Sequence, residues 1–284
     1  MENTLDTPLD KPGLASRCLA YPLVRIVLGI LLTFAWVPLV MIAASTLVDK
    51  PYRIVWPQLL AAALVWFGYR CYVRRIDKRQ PAELALPGMP RQLGLGLLIG
   101  AGLVILTFAT LAALGVYRFD GVGSPGLTAM LVPLAELLLV GMAEEMVFRG
   151  IIFGVTRRAL GTRAAIVISA LAFSLAHLPN DGVSLLAMAV IAAYAVMQAA
   201  LYMTTRTLWA CIGTHVAWNY CVGQLFSSTV SGHAGSGGLL RGELVGNTML
   251  TGGAFGVEAS LVALLLIGGA AAVLLRRSPS SPRT

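Results

Sequence analysis

Two adjacent carboxylates and an arginine, in Met142-Ala143-Glu144-Glu145-Met146-Val147-Phe148-Arg149, stand inside an apolar run at 127–155. A lone charge at the centre of a bilayer costs about 2.5–3.5 kcal/mol on insertion scales, so such residues pair, face a wet cavity or do chemistry. On a helix Glu145 and Arg149 are i, i+4, one above the other, and each can neutralise its partner. Glu144 sits roughly 100° round the helix and lacks that partner. One carboxylate is held and one is free. A free, buried carboxylate is a candidate general base.

The chain has three histidines. His233 falls in a Gly/Ser-rich stretch and is expected to be merely solvated. His177 and His215 lie in apolar helical patterns, as does Asn219. Basic residues mark the ends of these runs, so depth can be counted along each helix. Glu144 lies roughly 20 Å from Arg157, His177 roughly 21 Å from Arg163, and His215 and Asn219 roughly 14 and 20 Å from Arg206. Three helices thus bring four polar side chains to similar depth. His215 and Asn219 are i, i+4 and share a face, and Phe173 is i, i+4 to His177, an aromatic wall beside that imidazole. Such a set holds a carboxylate base, imidazoles that transfer protons or bind metal, and donors for a developing oxyanion. Each residue alone has a plainer reading. The glutamates could be an ion pair or transport carboxylates, the histidines and Asn219 interhelical hydrogen-bonders, and Phe173, Trp218 and Tyr220 packing. The matched depth of all four favours a site.

The elements that must position them are transmembrane helices. Of 284 residues 57% are hydrophobic and 12% charged, with mean hydropathy +0.80. A soluble domain carries about twice that charge. The apolar runs are long enough for helices rather than barrel strands. The expected fold is all-α, a polytopic membrane bundle of about eight transmembrane helices with the site inside it. The helices fall near 24–48, 54–73, 93–116, 127–155, 164–178, 183–203, 207–225 and 257–275, with a kink at Pro38. The net charge of +8 reads as a topology signal rather than a nucleic-acid surface, because the basic residues cluster between apolar runs. With eight spans and a cytoplasmic N-terminus, only Lys50, Arg53, Arg118 and Arg241 fall outside and Arg149 lies in the membrane. The other sixteen of the 21 basic residues lie inside, as the positive-inside rule requires. Both termini are therefore expected in the cytoplasm, in a multi-pass protein of the bacterial plasma membrane.

Five regions follow: a cytoplasmic segment at 1–23, helices one to three at 24–126, a helical core at 127–225, a Gly/Ser-rich extracytoplasmic loop at 226–256, and the last helix with a basic tail at 257–284. The loop at 117–126 has Gly/Pro turn chemistry, and the Ser/Pro-rich tail is expected to be disordered. No cleavable signal is expected, since the acidic first residues and the long first apolar run do not fit one. Cys18, Cys71, Cys211 and Cys221 show no C-x-x-C spacing and read as packing residues.

Glu144-Glu145-x-x-x-Arg149, Phe173-x-x-x-His177 and His215-x-x-x-Asn219, in this order on three helices, resemble the three motifs of the CPBP family. That family comprises CAAX prenyl endoproteases of the Rce1 type and bacteriocin-processing or Abi-type membrane proteins. The resemblance covers about 127–225. It implies an intramembrane endopeptidase in which Glu144 and His177 activate water, His215 and Asn219 bind the oxyanion, and Glu145 orients through Arg149 beside Phe173. It implies a membrane-associated protein or peptide as substrate, including the prenylated CAAX type, the bilayer as surroundings, and no nucleic acid. No cofactor is firmly implied. If a metal is used, Glu144, His177 and His215 could ligate zinc, but there is no H-E-x-x-H, and the metal-free scheme is preferred. The competing reading is a proton-coupled transporter or a non-catalytic immunity or scaffold protein. Transporters tend to show repeated halves with interrupted helices, and no such repeat is evident.

Overall fold

Pro38 divides the first apolar run. Helices α1 (Pro22–Phe34) and α2 (Trp36–Leu47) meet at Ala35. The break falls where expected, because proline offers no N–H to the carbonyl four residues back and its ring crowds that carbonyl. The computed structural model describes residues 19–233, 235 and 237–278. Most of the expected N-terminal segment, with Cys18, and residues 279–284 of the tail expected to be disordered from 276 lie outside the described residues, while Arg276 and Arg277 belong to the last helix.

Most of the remaining helices appear within a few residues of the expected apolar runs; the helix expected at 164–178 begins at Gly154, and a short turn at Thr248–Thr251 falls in the expected loop. The remaining helices are α3 (Trp56–Arg75), α4 (Met89–Ala113), α5 (Leu127–Glu145), α6 (Gly154–Ala176), α7 (Leu185–Thr205), α8 (Leu208–Tyr220), a single turn α9 (Thr248–Thr251), and α10 (Leu261–Arg277). Four stretches are long and apolar enough to cross a membrane: Pro22–Leu47, Met89–Ala113, Leu127–Ala176 and Leu185–Thr205. With the family match reported below, they make this an integral membrane protein. Leu127–Ala176 is too long for one span, and Gly161 interrupts it with φ 84° and ψ 171°. Glycine reaches that conformation without a Cβ penalty. The break lies among Arg157, Arg158 and Arg163, in the expected connector.

Two apolar clusters organise the bundle. One gathers Tyr69, Tyr72, Met146, Ile151 and Trp209 from α3, the α5–α6 junction and α8. The other gathers Phe108, Phe173, Tyr194, Trp218 and Phe255 from α4, α6, α7, α8 and the loop before α10. Phe148 packs against both, so the motif region sits on the seam between them. Helix α8 reaches this seam because α4 lets it approach closely. A Cβ at Gly96 or Gly100 would overlap the carbonyls of Ala210 or Thr214, and one at Gly213 that of Leu93. Small residues at such contacts let helix backbones approach and gain dispersion, which drives helix association in lipid.

The expected 117–126 turn and part of the 226–256 loop are more ordered than their composition suggests. Strand β1 (Tyr117–Val122) pairs antiparallel with β2 (Leu240–Leu244), Tyr117 opposite Leu244 and Val122 opposite Leu240, with an irregularity between Phe119 and Gly121. At its foot Phe226 stacks on Phe108 at 3.9 Å. This two-stranded ribbon lies at the end of the bundle opposite the arginine-rich connectors.

Candidate functional site

Helix α5 carries Glu144 and Glu145 to its last turn. Beyond it, Met146–Phe153 winds as a wider π-helix rather than the expected regular α-helix. Insertions of this kind recur at functional sites. The Glu145–Arg149 pair forms all the same, with Nη1 donating to Oε1 at 3.2 Å, and both side chains are fully buried. Oε1 also accepts from Gln198 Nε2 and from His215 Nδ1, each at 3.0 Å. A carboxylate only accepts, so His215 carries its proton on Nδ1. The Arg149 guanidinium lies 4.5 Å from the centre of the Phe173 ring, a cation–π contact. Glu145 is therefore the held carboxylate, and Arg149 couples it to the aromatic wall.

Glu144 is the free one. Its side chain is a quarter exposed and its Oε2 lies 3.8 Å from His215 Nε2, beyond hydrogen-bonding distance. Oε2 has no hydrogen-bond partner among the described residues. One cavity of about 560 Å³ is lined by Glu144, Phe173, His177, His215 and Asn219 together. The side chains expected at matched depth do meet. His177 stands at the end of its helix, as the expected span to 178 implied. It caps the end of α6, with Nδ1 at 2.8 Å from the Phe173 carbonyl and its ring 4.7 Å from that of Phe173. Phe148 meets Phe173 edge-on at 4.9 Å.

Other cavity residues escaped the sequence reading. Tyr194 on α7 stands edge-on to His215 at 6.0 Å and packs on Trp218 at 5.8 Å. Trp218 is more than packing, since its Nε1 donates to the Glu258 carboxylate. Glu136 lines the cavity two turns before Glu144. His233 is exposed but lines the cavity too, with Nδ1 at 3.2 Å from the Ser231 carbonyl, so it is not merely solvated. A signal existed for some of these. Gln198 is an uncharged amide in an otherwise apolar helix, and Glu258 is a lone carboxylate heading the last apolar run.

Zinc would need three or four of these side chains around one point. Among the described residues no three His, Cys, Asp or Glu side chains are so placed. Glu144, His177 and His215 as they stand do not form the zinc set, and no step below is routed through a metal. Cys71, Cys211 and Cys221 are free thiols, as their spacing implied.

Comparison with known families bears on the readings of this cluster. Residues 126–221 match the family model described as type II CAAX prenyl endopeptidase, Rce1-like. The resemblance seen in the motifs holds over this stretch, about a third of the chain, and it spans every motif residue from Glu144 to Asn219. The matched family is one of proteases, which does not favour the transporter or scaffold reading. No curated protein and no solved structure gave a match.

Proposed function

We propose that the protein is an intramembrane endopeptidase that hydrolyses peptide bonds of membrane-associated proteins or peptides, including those of the prenylated CAAX type. The observation that carries this reading is the division of labour between adjacent carboxylates. Glu145 accepts three hydrogen bonds on one oxygen, while Glu144, one oxygen of which no hydrogen bond holds, lines a cavity together with His177, His215 and Asn219.

In the proposed reaction Glu144, assisted by His177, takes a proton from water as the oxygen attacks the scissile carbonyl carbon. The carbonyl π pair moves to oxygen, and Asn219 and His215 donate to that oxyanion. His215 does so through Nε2, which requires a doubly protonated ring. Glu145 Oε1 lies 3.0 Å from Nδ1 and Glu144 Oε2 lies 3.8 Å from Nε2. Collapse of the intermediate breaks the C–N bond, and the proton held by Glu144 passes to the departing amine. Arg149 and Gln198 keep Glu145 aimed at His215. We further propose a bacterial plasma-membrane protein with eight spans; the asymmetry of basic residues between connectors supports placing both termini in the cytoplasm.

The test compares new protein N-termini in membranes of cells expressing wild type or Glu144→Gln at matched levels. Termini that appear only with wild type support proteolysis and identify the substrate. Coincident profiles would sink the reading.

A further inference from the structure

Glu258 lies outside the family-matched segment, in the turn that precedes α10, and is only 7% exposed. Its carboxylate is fully engaged. Oε1 accepts from Trp218 Nε1, and Oε2 accepts from the Ser231 backbone N–H and, at 3.0 Å, from the Ser231 hydroxyl. Two of these donors, an indole N–H and a backbone N–H, cannot accept, so both ends of the side chain must be acceptors. A carboxylate meets that demand at both oxygens. A glutamine would turn its NH2 toward a donor on one side.

The two partners lead to opposite walls of the cavity. Trp218 is the neighbour of Asn219 on α8, and through Tyr194 its ring reaches His215. The Ser231 carbonyl accepts from Asn180 Nδ2 at 3.0 Å, and the Asn180 backbone N–H donates to the His177 carbonyl at 3.1 Å. Nearby, Gly232 donates to the Phe255 carbonyl at 3.0 Å. Glu258, Ser231 and Asn180 all line the cavity, at the end away from the arginine-rich connectors.

We infer that Glu258 is a positioning residue: by accepting from both Trp218 and Ser231 it fixes the spacing between the His177 end of α6 and the Asn219 face of α8, and closes the cavity between them. The inference rests on the endopeptidase reading for its catalytic consequence, while the closure is a property of the fold and can be measured by itself.

Two readouts test it on the full-length protein in detergent. The first is the rate of maleimide modification at Val230→Cys, a half-buried position on the same cavity wall, over the background of the native cysteines. Glu258→Gln should raise it by about tenfold, the scale of losing a hydrogen bond to a charged group. The second is the rate at which wild-type-dependent N-termini form, per folded protein. Glu258→Gln should lower it by about 100-fold, the cost of an ångström-scale misplacement. Combined with Asn219→Ala it should slow the reaction by less than the product of the two effects, because part of its effect acts through Asn219. Unchanged labelling, unchanged rate, or fully multiplicative effects would each overturn the inference. If wild type itself forms no new termini, the endopeptidase reading fails by its own test, and the labelling result alone decides whether the closure exists.

Discussion

Two buried carboxylate centres in this molecule are built in opposite ways. Asp77, just past the end of α3, has a fully buried side chain ringed by Arg25, Arg79 and Arg158, which are 25%, 28% and 41% exposed. Tyr72 adds a fourth donor at 3.2 Å. Arg79 goes on to Glu83 at 2.7 Å, and Thr207 and Trp209, where α8 begins, donate to the carbonyls of Glu83 and Ala85. This centre is oversupplied with cations whose far ends stay wet, and it pins α1, α3, α6 and α8 together. Glu145 has one arginine, itself fully buried, and the pair leaves Glu145 Oε2 and Arg149 Nε and Nη2 without hydrogen-bond partners among the described residues. Burial of an ion pair is weak evidence for stability and costs several kcal/mol per ion before any return. The saturated centre reads as a fastening. The starved one is tolerable where polarity is needed for chemistry.

That contrast can be broken experimentally. The largest expected effect is on turnover. Glu144→Gln should slow formation of wild-type-dependent N-termini by about 10³-fold, as loss of a general base does, with an unaltered melting temperature. Arg149→Met should lower stability by about 3–5 kcal/mol in thermal unfolding, because it strands a buried carboxylate. Asp77→Asn should cost about 2 kcal/mol, since its abandoned arginines can turn to water, and it should leave activity per folded molecule intact. Arg158→Met should cost under about 1 kcal/mol, being one exposed arginine of three. If Arg149→Met proved as mild as Arg158→Met, the two centres would not differ as described.

Acid should separate them as well. Burial alone would raise the Asp77 carboxyl, but Arg158, Arg25 and Arg79 outweigh it and hold the group below the usual carboxylate range. A depressed folded value means that its stabilisation is complete above the unfolded value, about 4, and is lost as pH falls through the folded value. Melting temperature measured below pH 4 should therefore fall less steeply for Asp77→Asn than for wild type. Equal slopes would remove Asp77 from the acid response.

Local signals carried the helices and the motif pairs, because apolar period and i, i+4 spacing are properties of neighbours in the chain. The Glu145–Arg149 pair survived even though its helix winds as a π-helix, since either winding keeps those side chains adjacent. The contacts that escaped are long-range. Gln198 meets Glu145 across 53 positions, and Trp218 meets Glu258 across 40. Nothing near Gln198 in sequence says which carboxylate it serves. Strand β2 is five residues of mixed character, and its pairing with β1 follows from how the bundle brings two connections together. Gly96 and Gly100 did leave a local trace as a small-xxx-small spacing, but that spacing names a contact without naming the partner.

The position of Glu258 in the chain sets a timetable. Synthesis runs from the N-terminus, so Glu144 emerges 114 residues before the carboxylate that closes its cavity. At typical elongation rates this interval is on the order of ten seconds. Strand β2, which closes the ribbon with β1, also arrives late. During that window the nascent bundle holds Glu144 beneath an unfinished roof. Any truncation before 258 leaves the molecule in that half-built state permanently, however complete its motifs.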